Sequence, residues 1–274
     1  MLRPLADVSA ETIRSRQNGR LKDLRRRLMN PGFADDGLVA IEGEHLLMEA
    51  ARSGLRIDTL FVREDRAKND WPGLGDPLRF TVAADAFNHA CATESPQGVA
   101  ALVEAPRWSL DALLDSDHPL LLVLAGLQDP GNAGTIIRSA EAFGASGVLL
   151  TPGSVHPWNQ KVVRASAGSS FRLPVVALED VGLLEGLQER QIPLYACAAK
   201  SGDSILDRDL RAAGAFVIGN EGAGISDEVL ALCSRSIHIP CPGPVESLNA
   251  AVAAAILLYE ASRQRAQASM AIKP

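Results

Sequence analysis

The chain has 274 residues, 47% hydrophobic and 22% charged, with a formal net charge of −6. That composition excludes intrinsic disorder, supplies apolar side chains for a sizeable core, and fits about two domains at this length. Taken as a sum, the negative charge argues against a nucleic-acid partner, whose usual mark is a basic domain.

By position the charge looks different. Residues 1–30 carry eight basic residues (Arg3, Arg14, Arg16, Arg20, Lys22, Arg25, Arg26 and Arg27) against three acidic ones (Asp7, Glu11 and Asp23). The arm is locally +5, which leaves −11 on the other 244 residues. A basic arm on an acidic body points to an anionic partner, and a solvated Arg-rich helix face is the plain alternative.

The first predicted element is a helix over 10–29, with Ile13, Leu21, Leu24 and Leu28 near helical spacing. Short strands follow at 38–41 and 60–62, with a helix over 43–53 between them. Strands at 80–82 and 99–103 complete a small α/β domain over 1–105. Residues 106–118 read as a linker, with Pro106 at its start, an acidic cluster within it and Pro119 just beyond. From 119 to 274 strands and helices alternate. Strands are expected at 120–127, 147–151, 174–177, 193–197, 215–219 and 237–240. Helices are expected near 133–144, 159–167, 180–190, 226–233 and 247–265. Continuous apolar strands between amphipathic helices imply a parallel sheet covered on both faces.

Cys91, Cys197, Cys233 and Cys241 are scattered without a C-x-x-C pair, which suggests reduced thiols in a cytoplasmic setting and no metal ribbon. No apolar stretch follows the N-terminal charges, so no secretory signal is expected. The apolar runs at 120–127 and 250–259 are too short to span a membrane, which needs about 20 residues.

Ligands of open parallel sheets bind at the carboxyl ends of strands, so those loops are where chemistry is expected. After strand 120–127 comes Asp129-Pro130-Gly131-Asn132, a turn with Asn132 as candidate helix N-cap, and then Arg138, 240° further round the helix. After strand 215–219 comes Asn220-Glu221-Gly222-Ala223-Gly224. Its G-x-x-G-x-G spacing is neither the dinucleotide fingerprint nor a P-loop. Glu221 is a candidate carboxylate for catalysis or substrate orientation; its plain role is to favour the dipole of the next helix. After strand 237–240 a Pro/Gly-rich loop leads to Ser247-Leu248-Asn249, both polar members being good caps.

These three segments, in this order, resemble the SpoU/TrmH class of RNA ribose 2′-O-methyltransferases of the SPOUT superfamily. The matching positions are Asn132, Gly134 and Arg138; Gly219, Glu221 and Gly222; and Ile239, Pro240, Ser247, Leu248 and Asn249. The segment from Lys161 through Arg164 to Gly168, followed by Phe171-Arg172-Leu173-Pro174, is similar too. The front of the chain, with Ser15–Asn18, Ile41-Glu42-Gly43 and Ser95–Val99, resembles the family's L30e-like substrate-binding domain. One departure is the loop after Pro240, where Cys241 stands in place of a common Met and Pro244 stiffens the chain.

The resemblance implies an α/β fold: a parallel-sheet SPOUT domain with a C-terminal trefoil knot, preceded by a small L30e-like domain. It implies a homodimer that methylates RNA with S-adenosylmethionine. Ile218, Gly219, Gly222, Ile239, Leu248 and Asn249 would hold the cofactor. Asn132, Arg138, Glu221, Ser247 and Asn249 would form the catalytic set, with Asn132 orienting Arg138. Arg138 matches the arginine assigned as general base. Neutralising any arginine at pH 7 costs roughly 7.5 kcal/mol, so a charged clamp on phosphate and alkoxide is the competing version. Arg14, Arg16, Arg20, Lys22, Arg25, Arg26, Arg27 and Arg164 are the candidate RNA contacts, and splayed or looped RNA is the expected form. Ribosomal RNA is favoured over transfer RNA. Two rival classes stay open: a non-catalytic RNA-binding protein on the same scaffold, and a small-molecule enzyme such as a dehydrogenase.

Overall fold

The computed structural model describes residues 12–32, 36–115, 118–199 and 201–271, with side chains through 268. Arg3, Asp7 and Glu11 of the arm lie outside them. The chain divides into two compact units: 1–106 together with Trp158–Phe171, and Arg107–Pro157 together with 172–274.

The first unit contains α1 (Gly19–Met29), β1 (Leu38–Glu42), α2 (Glu44–Arg52), β2 (Ile57–Arg63), β3 (Leu78–Val82), α3 (Ala84–Ala90) and β4 (Val99–Glu104). Its sheet runs β1-β4-β2-β3, antiparallel except for β2 with β3. Helix α1 begins nine residues later than periodicity predicts. Ile13 is not on the helix but bridges Val82, its N–H donating to the Thr81 carbonyl at 2.9 Å. Asn18 then caps α1, accepting from Arg20 N at 2.9 Å, and Leu21, Leu24 and Leu28 fill the core.

One arm arginine is a structural anchor. The Arg27 side chain is 9% exposed and donates to Asp23 (2.9 Å), Asp36 (2.7 Å) and the Leu38 carbonyl (2.8 Å). Its hydrogen bonds hold the Asp36 carboxyl below its ordinary range. On β1, buried Glu42 accepts from Ala92 N (2.8 Å), Thr93 N and the Thr93 hydroxyl, which pins the chain after α3.

The second unit contains α4 (Leu110–Leu114), β5 (Leu120–Ala125), α5 (Pro130–Ala142) and β6 (Gly147–Leu150). The chain then enters the first unit as α6 (Gln160–Ala165). It returns as β7 (Val175–Ala177), α7 (Glu185–Glu189), β8 (Leu194–Ala198), β9 (Asp203–Ser204), β10 (Gly214–Gly219), α8 (Asp227–Leu232), β11 (Arg235–His238) and α9 (Ala250–Ala271). The sheet order is β7-β6-β5-β10-β8-β11-β9, with every pair parallel. Strand β5 is buried along its whole length, as a strand covered on both faces must be.

Three sequence expectations shift. The stretch read as a linker holds α4, whose Leu113 and Leu114 are buried in the second unit's core. The predicted helix over 180–190 is a 3-10 turn at Val181–Leu184 followed by α7. Trp158–Phe171 packs in the first unit rather than with the rest of 119–274. There the Gln160 side-chain amide donates to the Ala40 carbonyl at 2.8 Å, on the edge strand β1, and Trp158 stacks on Phe171 at 6.2 Å.

Helix α9 is tied down near its end. Arg265 donates to the carbonyls of His118 (3.0 Å), Leu210 (3.3 Å) and Ala212 (2.6 Å), and Gln264 accepts from Leu210 N at 2.8 Å. Burial lowers the Arg265 pKa. Among the described residues no helix is long and apolar enough to cross a membrane, and no group of His, Cys, Asp or Glu could hold a metal ion.

Candidate active site

A cavity of about 1020 Å³ opens in the second unit, at the carboxyl ends of β8, β10 and β11. That size suits a drug-sized ligand or cofactor. All of Ile218, Gly219, Gly222, Ile239, Leu248 and Asn249 line it, and so do Glu221 and Ser247. Asn132 and Arg138 are not among the lining residues.

Asn132 was expected to cap α5. Asp129 does so instead, accepting from Asn132 N at 2.6 Å, with Pro130 in the first helical position where its missing N–H costs nothing. The Asn132 side chain is thereby free for a longer reach. Its Nδ2 donates to Glu221 Oε1 at 3.0 Å, and its Oδ1 accepts from Asn249 Nδ2 at 3.0 Å. Asn249 Oδ1 meanwhile caps α9, accepting from Ala251 N (2.9 Å) and Val252 N (3.2 Å). One amide therefore joins three loops separated by 89 and 117 residues. An amide suits the middle place, because its nitrogen donates to the carboxylate while its oxygen accepts from the other amide.

Arg138 is exposed on α5, two turns beyond Asn132, and has no hydrogen bond or ion pair among the described residues. The expected orientation of Arg138 by Asn132 is not made: both ends of the Asn132 amide are engaged by Glu221 and Asn249. Arg138 stands as an unpaired cation.

The cavity's electrostatics are one-sided. Glu221 and Glu246 line it, with His238, and among the described residues no Lys or Arg does. The carboxylates of that wall suit S-adenosylmethionine, whose sulfonium and ammonium outnumber its one carboxylate. Cys197 also lines the cavity, and burial pushes its thiol up, so it is a neutral wall and not a nucleophile.

The candidate RNA contacts lie in the first unit. Arg14 and Lys22 are exposed without a partner among the described residues. Arg20 sits over the Phe80 ring at 4.4 Å. Arg16 pairs with Asp85, both side chains open to solvent. Arg164 is exposed on α6. Segments 140 residues apart in sequence thus bring basic side chains to one unit. Sequence reading missed Asn220 and the link between Asn132 and Glu221, since neither a motif nor a period marks them.

Residues 119–259 match the SpoU rRNA Methylase family, and residues 20–101 match an MRM3-like substrate binding domain. An uncharacterised tRNA/rRNA methyltransferase of Synechocystis is 36% identical over 94% of this chain and 96% of its own. The 23S rRNA (guanosine(2553)-2′-O)-methyltransferase RlmP of Bacillus subtilis is 33% identical over 90% of this chain and 97% of its own. The crystal structure of the SpoU methyltransferase AviRb from Streptomyces viridochromogenes, in complex with AdoMet, superposes with a TM-score of 0.83 at 31% identity, over 91% of this chain and 99% of that one. The chain belongs to the SpoU rRNA methylase family and is a methyltransferase that uses S-adenosylmethionine.

Proposed function

We propose that this enzyme methylates a ribose 2′-hydroxyl of 23S ribosomal RNA. The observation that carries the reading is the Asn132 amide, which joins Glu221 and Asn249, two residues of the cavity lining. Bound S-adenosylmethionine supplies the methyl group as an electrophile. The chain supplies position and charge. Backbone at Ile218, Gly219, Ile239 and Leu248 would hold the adenosyl part, and Gly222, Glu221, Ser247 and Asn249 would shape the wall beside it. Arg138 remains charged, grips the phosphate next to the target ribose and stabilises the negative charge that develops on the 2′-oxygen as its proton passes to water. Curated relatives named as 23S rRNA 2′-O-methyltransferases support the choice of RNA.

The homodimer, the trefoil knot and a cytoplasmic site of action belong to the same reading. Family membership supports the knot. Exposed Val252 and Tyr259, seven residues apart on α9, support a second copy as a partner. The test of the reaction is methyl transfer from labelled S-adenosylmethionine to an unmodified 23S transcript, followed by mapping of the 2′-O-methyl group. A transfer RNA labelled in preference to the 23S transcript overturns the choice of RNA, and binding without transfer overturns the enzyme.

The basic side chains of the first unit bind phosphate. Substituting Arg14, Arg20, Lys22 and Arg164 together by alanine is expected to flatten the salt dependence of RNA binding. Each lost contact removes about 0.7 from the slope of log affinity against log salt for single-stranded RNA, so four remove roughly 3. An unchanged slope in a filter-binding titration rejects this assignment. Arg27→Ala belongs to a different class: it removes the guanidinium that holds Asp36 and one of the two arginines on Asp23, and is expected to lower stability in denaturant unfolding.

A further inference from the structure

Asn220 stands between Gly219 and Glu221 at the start of the hairpin that follows β10. We propose that Asn220 is a positioning residue that sets the Glu221–Asn132 contact by fastening two loops to each other. The inference rests on the methyl-transfer reading above and goes beyond it to a residue of the cavity lining whose side-chain amide is taken up by the protein's own backbone.

Asn220 follows β10 directly, and the chain after it folds into a tight hairpin. Backbone Asn220 N donates to the Gly224 carbonyl at 2.8 Å, and Gly224 N donates back to the Asn220 carbonyl at 3.0 Å. Inside that hairpin the Asn220 side chain does two separate jobs. Its Oδ1 accepts from Gly222 N at 2.9 Å and Ala223 N at 3.0 Å, which fixes the backbone on the far side of Glu221. Its Nδ2 donates to the Gly126 carbonyl at 2.9 Å. The partners are backbone N–H groups on one side and a carbonyl on the other, so the orientation of the amide is fixed by chemistry.

Gly126 is where the chain leaves β5 in a left-handed conformation, with φ of +67°, and heads into Asp129 and α5. That loop delivers Asn132. Asn220 therefore ties the loop that carries Glu221 to the loop that carries Asn132, at the point just before each side chain departs. The Asn132–Glu221 hydrogen bond closes the same circuit from the other end. A carboxylate at 220 would keep the hold on Gly222 and Ala223 but face the Gly126 carbonyl without a proton to give. Alanine would release both.

The test uses full-length enzyme and an unmodified 23S transcript, with single-turnover methyl transfer at saturating S-adenosylmethionine, cofactor affinity by calorimetry, and thermal unfolding as a check. N220A is expected to slow transfer by roughly 10–100-fold, the scale at which small misplacements act. The cofactor dissociation constant should change by a smaller factor than the rate. N220D should lie between wild type and N220A. The decisive arm is a double-mutant cycle with N132A. If Asn220 works through the Asn132 contact, adding N220A to N132A costs less than about 3-fold, because the circuit is already open. A full multiplicative loss in the double variant, or a normal rate in a folded N220A, overturns the proposal. If N220A does not fold, the same cycle is run with N220D and judged by the same rule. No transfer by wild type to any RNA counts against the methyl-transfer reading instead, so the two failures are told apart.

Discussion

Replacing Arg138 with alanine is expected to cut methyl transfer by about a thousandfold at saturating S-adenosylmethionine, while leaving stability within about 0.5 kcal/mol. The second half of that expectation follows from the structure. Arg138 is exposed and makes no hydrogen bond or ion pair among the described residues, so its removal breaks nothing in the fold. A side chain that contributes no stability and yet abolishes turnover is engaged only when substrate is present. Arg138→Lys separates the two mechanistic versions. Lysine keeps the charge but loses the planar fork that grips two phosphate oxygens at once. A charged clamp therefore predicts little recovery with lysine, and near-normal activity in the lysine variant rejects it. Single-turnover transfer, with denaturant unfolding in parallel, gives both readings.

The second large effect is expected at Gly219. A methyl group there would stand 2.5 Å from the Gly224 carbonyl carbon and 2.7 Å from Ile225 N, both backbone atoms that cannot step aside alone. Gly219→Ala must push the 220–224 hairpin away from β10, at a cost of about 1–3 kcal/mol for overpacking. The hairpin carries Glu221 and forms part of the cavity wall, so S-adenosylmethionine affinity should fall by more than tenfold in calorimetry. Gly222 is the internal contrast. A methyl group there meets only Asn220 Oδ1 at 3.7 Å, an ordinary contact, and Gly222→Ala should unfold within about 0.5 kcal/mol of wild type. Equal destabilisation by both substitutions would show that the close approach is not what demands a glycine at 219.

Much of the second unit was legible from apolar runs alone. Strands β5, β6 and β10 fall where continuous hydrophobic stretches place them, because strands covered on both faces have no polar side to confuse the pattern. Many of the residues lining the cavity were reachable from the loops after the strands read at 215–219 and 237–240. What could not be read was set by contacts distant in sequence. Ile13 fits a helical period, yet its backbone is taken by β3. Asn132 has every property of an N-cap, but Asp129 occupies that place and frees it for Glu221 and Asn249. Arg27 looks like its neighbours in the arm, and only the folded chain shows it between Asp23 and Asp36. Local composition cannot tell a cation that waits for phosphate from one that already has its carboxylates.

The placement of Trp158–Phe171 has a consequence for how such a chain can be recombined. The polypeptide passes between its two units three times, after 106, after 157 and after 171. A gene fragment that stops at 106 would deliver β1 as a bare sheet edge, since the Gln160 amide that meets the Ala40 carbonyl comes from the later segment. Unprotected edges invite pairing between molecules. Exchange of the substrate-binding unit between relatives therefore requires two pieces of sequence to travel together. A crossover in the apparent linker splits a unit rather than separating two, and shuffling at that point selects against itself.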